Sequence, residues 1–507
     1  MHIPRILITA PASGTGKTLV TCGILQVLKS RGMKTAAFKC GPDYIDPMFH
    51  REVLGIPSYN LDTFLCGKEG VRNLLVKNAK NAEIAVLEGV MGYYDGLAGI
   101  STEGSAYDVA DTTDTPAILV VDCKGVSVSV VPYIQGFLHY RAQKDEKRHR
   151  NSHIAGVILN RLSPMMYGRM KQMIEEETDI KVLGYVPVMK DCVLESRHLG
   201  LKMPGEVDSL QLRIMELGKK LEETIDIDGL LEIARRTTEL TPGVVGGMDG
   251  KVPMCEETTA YGNITFAEES GCRCGADSPY QGLRIGVAKD EAFCFMYQDN
   301  LDLIESMGVR LIPFSPISDK HLPERLDGLL LYGGYPELYA DRLSQNESMR
   351  MEIREAIENG LPCIAECGGF MYLQESITDE EGHTYPMVGA LKGKSYYTPS
   401  LKRFGYITLS GGTKTDDIAQ NGAGVNVIGS GKVFGKEVGE IPAHEFHYYD
   451  SDECGSSFTV KKPLSQRSWK CIISTETLLA GYPHIHYYGN LNVIRAFLDT
   501  CRKEEKE

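Results

Sequence analysis

A single tryptophan stands in 507 residues, and no apolar run approaches the length of a membrane span. Roughly 18 consecutive apolar residues are needed to cross a bilayer, so no membrane role is expected. Basic excess is also missing: Lys and Arg number 54 against 68 Asp and Glu, a formal net charge of −14. Such a chain is poorly suited to neutralising a phosphate backbone, and no nucleic-acid partner is expected. The 14 cysteines follow no framework spacing, and several (Cys22, Cys40, Cys123, Cys363) lie inside apolar runs. With no export-signal pattern in Met1–Thr9, they read as reduced thiols of a cytoplasmic protein. Cys272 and Cys274 form a Cys-X-Cys pair without the further ligands that a metal site requires. Internal repeats and low-complexity tracts are absent, and 42% hydrophobic residues exclude a disordered chain.

What is present is an alternation. Short apolar runs (Arg5–Ala10, Thr35–Phe38, Glu83–Glu88, Ala117–Asp122, His153–Leu159) are separated by amphipathic stretches such as Lys17–Ser30 and Met165–Glu177. This predicts βαβ units and a mostly parallel sheet covered on both faces, over residues 1–235. Residues 236–282 are rich in Gly and Thr, carry no sustained period, and read as a linker or insertion. A second α/β pattern fills 283–507, with strands expected at Arg284–Ala288, Gly328–Leu331 and Pro362–Ala365 and helices at Asn300–Met307 and Ser348–Asn359.

The first strand empties into Ala12-Ser13-Gly14-Thr15-Gly16-Lys17-Thr18, with a helix behind it. This is a phosphate loop. Glycines let successive backbone N–H groups turn toward one point, the helix N-terminus adds positive potential, Lys17 supplies a cation, and the Thr18 hydroxyl is placed for Mg²⁺. Pro11 stands where the strict pattern has glycine. Glu88 ends an apolar strand, at the edge where doubly wound sheets bind ligands. Asp43 and Asp46 in Gly41–Pro47 and Asp95 in Glu88–Gly96 are further acidic candidates, and Asp122 is a weaker one. A carboxylate cluster facing a phosphate loop suits metal-assisted phosphoryl transfer.

In the second half, the apolar run Cys363-Ile364-Ala365-Glu366 leads into Cys367-Gly368-Gly369. This has the form of a nucleophile elbow, where a sharp strand-to-helix turn lifts the thiol above the sheet and needs small neighbours. Gly333 and Gly334, after another expected strand, offer backbone N–H groups for an oxyanion hole. The candidate base is His484, in Tyr482-Pro483-His484-Ile485-His486, with His444 and His447 forming another cluster.

Taken together, the motifs resemble those of the cobyrinate a,c-diamide synthase family of glutamine-dependent amidotransferases in corrinoid biosynthesis. The resemblance covers both halves. It rests on Ser13–Thr18, Gly41–Pro47, Glu88–Gly96, Asn160-Arg161, Arg197–Gly200, Gly333–Glu337, Ala365–Gly369 and His444–His447. It implies an α/β fold: an N-terminal P-loop domain similar to dethiobiotin synthetase, then a class I-type glutamine amidotransferase domain. It further implies that Cys367 and His484 release ammonia from L-glutamine. ATP and Mg²⁺ would activate the a and c acetate carboxylates of cobyrinate as acyl phosphates, which ammonia converts to amides. By the same resemblance, Ser13, Gly14, Gly16, Lys17 and Thr18 contact phosphates, and Asn160 contacts adenine. Thr18 and Glu88 hold the metal. Asp43, Asp46 and Asp95 surround the activated carboxylate, and Arg197 and His198 contact substrate carboxylates. Water must be kept from an acyl phosphate, which implies a shielded site. Glutaminases of this class commonly carry Glu two residues after the catalytic histidine, where this chain has His486. The orienting partner is therefore open, with His486 and Glu445 as candidates. Three alternatives stand beside this reading. Two exchange the macrocycle, for nickel-sirohydrochlorin or hydrogenobyrinate. The third is a partitioning ATPase with an inert C-terminal module. A homodimer is compatible with every one of them.

Overall fold

The computed structural model describes residues 1–140, 151–189, 196–197, 200–201, 210–241, 278–411 and 431–502. The chain separates into two compact units, Met1–Gly262 and Asn263–Glu507.

The first unit is built on a seven-stranded parallel sheet. In chain order its elements are β1 (Arg5–Thr9), α1 (Lys17–Ser30), β2 (Thr35–Cys40), α2 (Ile45–Glu52), β3 (Ser58–Leu61), α3 (Gly67–Ala79) and β4 (Ile84–Glu88). They continue with α4 (Ala106–Thr113), β5 (Ala117–Asp122), α5 (Val130–His139), β6 (Ile154–Asn160), α6 (Pro164–Thr178) and β7 (Val182–Val186). The sheet order is β3-β2-β4-β1-β5-β6-β7. Every residue of β1, β2 and β4 is buried, as expected for strands covered on both faces, and this explains their unbroken apolar runs. The chain builds outward from β1 through β2 to β3, returns to β4, and then proceeds on the other side through β5. The carboxyl ends of β1 and β4 therefore flank the reversal point, where open α/β sheets hold ligands. In register, Ile8 of β1 and Lys39 of β2 both lie beside Glu88.

After a two-strand hairpin, β8 (Ser196–Arg197) and β9 (Gly200–Leu201), two helices close the unit: α7 (Leu210–Thr224) and α8 (Ile227–Arg235). Gly23 of α1 permits the approach of α7, since a Cβ there would lie 2.3 Å from Leu221 Cδ1. Residues beyond α8 are tied to the same unit. The Leu240 N–H donates to the Met1 carbonyl at 2.9 Å, and the buried Arg5 guanidinium donates to the Thr238, Thr113 and Ile3 carbonyls.

The second unit has a six-stranded sheet and a separate five-stranded one. The first contains β10 (Arg284–Ala288), β11 (Arg310–Phe314), β12 (Gly328–Leu331), β13 (Cys363–Glu366), Leu478–Gly481 and Ile473–Ser474, in the order β11-β10-β12-β13 and then the last two. Only the Ile473–Ser474 edge pairs antiparallel. The five-stranded antiparallel sheet runs Ser468–Cys471, Phe458–Lys461, Arg403–Gly411, Ile441–His447, His484–Ile485. The chain leaves the six-stranded sheet at Gly481 and joins the edge of the other at His484. That short bridge carries His484 to the carboxyl end of β13.

Candidate functional site

The phosphate loop closes on itself. Gly14 and Gly16 have φ of +74° and +99°, which favour residues without a Cβ. At Gly16 a Cβ would also stand 2.3 Å from Asn160 Nδ2. The Thr15 hydroxyl donates to the Ala12 carbonyl at 2.7 Å. Asn160, at the end of β6, donates to the Thr15 carbonyl at 2.6 Å and accepts from the Arg161 N–H at 2.9 Å. Its carboxamide thus braces the loop. Lys17 donates to the Ala12 and Met91 carbonyls. Burial and the neighbouring Lys39 charge bring its pKa down to about 8.

Glu88 is fully buried at the end of β4. Its Oε1 accepts from the Thr18 hydroxyl at 2.6 Å and from Lys39 Nζ at 2.9 Å. Lys39 also pairs with Asp46. Burial raises the Glu88 carboxyl to about 7 despite the attraction of Lys39. Burial would lower Lys39 in turn, but Asp46, Glu88 and Asp43 outweigh it and hold its pKa well above the ordinary lysine value. Asp43 caps the next turn, accepting from the Ile45 and Asp46 N–H groups at 2.9 and 3.0 Å. Asp95 accepts from the Gly92 N–H at 2.9 Å and contributes to the field at Lys17. Asp122 stands apart, paired with Arg161.

This arrangement fits a divalent cation. Thr18 and Glu88 bring hard oxygens together behind the loop, and Glu88 Oε2 is buried with no hydrogen-bond partner, His50 Nε2 being 3.7 Å away. Lys39 and His50 do not stand out in the sequence reading. Their one signal is a lysine at the penultimate position of an otherwise apolar buried strand, which in a dry sheet has to be paired. Arg197 belongs to β8, but its side chain, and the whole of His198, lie outside the described residues, as do Cys272 and Cys274.

The second unit carries the elbow. Cys367 has φ +48° and ψ −107°, a conformation costly for a residue with a side chain and maintained by its surroundings. Its N–H donates to the Gly481 carbonyl at 2.8 Å, and its carbonyl accepts from Met371 of the short helix α9 (Gly368–Leu373) that follows. The two glycines after it have no room for more. A Cβ on Gly369 would lie 2.0 Å from the Leu331 carbonyl, and one on Gly368 would lie 2.8 Å from Pro336 Cδ and 3.1 Å from the Gly334 nitrogen. Gly333 and Gly334 follow β12 as expected. A Cβ on Gly333 would stand 2.5 Å from His484 Cε1 and 3.4 Å from Cys367 Cβ. Cysteine, histidine and the glycine turn therefore meet at one point.

His484 is buried, with Nδ1 3.6 Å from Glu366 Oε2. Burial alone would lower its pKa, but Cys367 and then Glu366 raise it to about 10. The carboxylate that pairs with the ring is Glu366, the residue before the nucleophile. The two candidates named from the sequence lie elsewhere. The His486 ring packs 4.7 Å from that of Tyr297, and Glu445 sits on the neighbouring strand, in the field of Arg403 and Lys462. Glu366 lies within the motif itself, but only the pairing of Glu366 with Gly481 across two strands brings it under His484. His444 lies directly across from His484, and burial together with the His484 charge keeps it neutral, with its pKa near 3.

Known proteins share both halves. Residues 6–200 match the CobQ/CobB/MinD/ParA nucleotide binding domain, and 284–491 match the CobB/CobQ-like glutamine amidotransferase domain. A cobyrinate a,c-diamide synthase of Caldanaerobacter subterraneus subsp. tengcongensis is 36% identical over 498 residues, covering 98% of this chain and 98% of that protein. One from Listeria innocua is 37% identical, covering 96% and 97%, and one from Clostridium acetobutylicum is 35% identical, covering 97% and 98%. Similarity of this extent spans the phosphate loop and the cysteine elbow alike, and the chain belongs to the cobyrinate a,c-diamide synthase family.

Proposed function

We propose that the chain is a glutamine- and ATP-dependent ligase that amidates the a and c acetate carboxylates of cobyrinate. One observation carries the reading: a single chain holds a Cys367–His484–Glu366 constellation and a Lys17–Thr18–Glu88 phosphate site.

In the second unit, the Cys367 sulfur attacks the glutamine carboxamide carbon. The Gly333 and Gly334 N–H groups face the oxygen that gains charge, and His484 passes a proton to the departing ammonia. Water then cleaves the γ-glutamyl thioester and releases glutamate. Glu366 holds the imidazole toward the sulfur and stabilises its charged form. In the first unit, the loop N–H groups and Lys17 bind the ATP phosphates. Thr18 and Glu88 would hold Mg²⁺, which when bound neutralises phosphate charge. A carboxylate oxygen is a poor leaving group. Transfer of the γ-phosphoryl to it creates a good one, which ammonia displaces as phosphate. Asp43, Asp46 and Asp95 line the region where that carboxylate would sit, with Lys39 as the buried cation among them. Arg197 and His198 are the proposed contacts to the other macrocycle carboxylates. The described cysteines are free thiols, which suits the cytoplasmic location we propose.

The test is mass spectrometry of products formed from ATP, glutamine and each of cobyrinate, nickel-sirohydrochlorin and hydrogenobyrinate. Two carboxylates converted to amides on cobyrinate is the expected result. Conversion of another macrocycle alone would move the substrate, and conversion of none would overturn the proposal.

A further inference from the structure

Helix α2 carries a polar side chain that the mechanism above does not use. Asp46 and His50 lie in Asp46-Pro47-Met48-Phe49-His50, about one helical turn apart, and therefore share a face. Asp46 pairs there with Lys39 of β2, and the His50 ring approaches Glu88 at the end of β4. His50 is 0% exposed. An imidazole in so dry a place has to find partners for both of its nitrogens.

Its Nδ1 lies 3.1 Å from the Ser58 hydroxyl at the start of β3. Its Nε2 has no hydrogen-bond partner among the described residues and stands 3.7 Å from Glu88 Oε2, which is also buried without one. Two orphaned atoms thus face each other. A shift of under about 1 Å would bring them to an ordinary N–H···O distance. Burial brings the His50 pKa down to about 4, so the ring is neutral, with one nitrogen donating and the other accepting. Glu88 has to be ionised to hold a cation. A lone pair on Nε2 would repel that carboxylate, whereas an N–H there attracts it. A serine hydroxyl can donate or accept, so Ser58 donates to Nδ1 and the ring proton stays on Nε2.

The other Glu88 oxygen is already engaged. Oε1 accepts from the Thr18 hydroxyl and from Lys39 Nζ. Those contacts leave Oε2 unheld, and the carboxylate free to swing. Mg²⁺ takes hard oxygen ligands, so the imidazole serves Glu88 rather than the ion itself. Ligating carboxylates are commonly held by such outer partners, which fix their orientation.

We propose that His50 is a positioning residue for Glu88: its Nε2–H, set by the Ser58 hydroxyl on Nδ1, restrains Oε2 and keeps Oε1 turned toward Thr18, where the cation would sit. This rests on the phosphate-site reading above and adds the residue that orients its carboxylate. His50 touches neither nucleotide nor substrate, so its removal weakens the hold on the metal and spares the hold on the phosphates.

The test is calorimetric binding of β,γ-imido-ATP to the full chain, in EDTA and across a series of Mg²⁺ concentrations. It needs neither glutamine nor a macrocycle, so its result is independent of the substrate reading. In His50→Leu the Mg²⁺ concentration for half-maximal tightening is expected to rise about 10–100-fold, with affinity in EDTA unchanged. His50→Gln, whose amide can donate from near the Nε2 position, is expected to restore most of that loss. His50→Asn, whose amide reaches only the Nδ1 position, is expected to behave as His50→Leu, and the Gln–Asn comparison decides the matter if His50→Leu does not fold. Equal Mg²⁺ dependence in His50→Gln and His50→Asn, an unchanged dependence in folded His50→Leu, or parallel losses with and without Mg²⁺ would show a packing role only and overturn the proposal. A wild type whose nucleotide affinity ignores Mg²⁺ would remove the metal site itself, and the proposal with it.

Discussion

Single residues set the chemistry through their partners. Glu366 lies 3.6 Å from His484 Nδ1 and is the first carboxylate to weigh on that ring. Glu366→Gln keeps the shape and removes the charge, and is expected to lower kcat for glutamine hydrolysis by about 10²–10⁴-fold, as loss of an orienting acid does in hydrolytic triads. Steady-state ammonia release measures this, and a loss under threefold would show that the contact is only structural. Lys17 makes a pH prediction. Its pKa is depressed to about 8 in the free protein, first by burial and then by Lys39. Its charge is therefore present below pH 8 and is lost above it, when an ordinary lysine would still be protonated. ATP affinity is expected to fall about tenfold per pH unit above 8, with proton uptake on binding. Calorimetry in buffers of different ionisation enthalpy reads both effects, and a flat profile to pH 10 would contradict the assignment.

Elements bring those residues within reach. The elbow requires α9 to start hard against β12, and Gly369 is where backbone meets backbone. Gly369→Ala would place a methyl 2.0 Å from the Leu331 carbonyl. The helix would have to move, at a cost of about 1–3 kcal/mol. A lowered melting temperature accompanied by reduced Cys367 alkylation is the expected outcome; an unshifted melt would mean that the turn relaxes freely. The elements themselves were legible where burial is uniform. Strands expected at Arg5–Ala10, Glu83–Glu88 and Ala117–Asp122 coincide closely with β1, β4 and β5, because a strand covered on both faces has to be apolar throughout. The antiparallel sheet around Arg403–Gly411 and Ile441–His447 was not read. Its strands mix Arg, His, Glu and Tyr with small residues, so neither period stands out.

At the scale of the molecule, two chemistries occupy two units, and substitution should separate them. Lys17→Met is expected to abolish amidation whether glutamine or ammonium supplies nitrogen, since both routes need the activated carboxylate. Cys367→Ser is expected to abolish only the glutamine-driven route. Product analysis with each nitrogen source decides the matter, and amidation from glutamine by the serine variant would dissolve the division of labour.

The sequence by itself determined the phosphate loop, the elbow and the order of the two α/β units, because each of these is written in contiguous residues. A loop that wraps phosphate and a turn that lifts a thiol need their glycines at fixed offsets, and offsets are visible in one dimension. Tertiary structure alone decided that Lys39 bridges Asp46 and Glu88, that Glu366 pairs with His484, and that Glu445 is buried with neither carboxylate oxygen hydrogen-bonded. A buried charge is defined by what lies across the sheet from it, and strand pairing joins residues tens of positions apart whose individual types announce nothing.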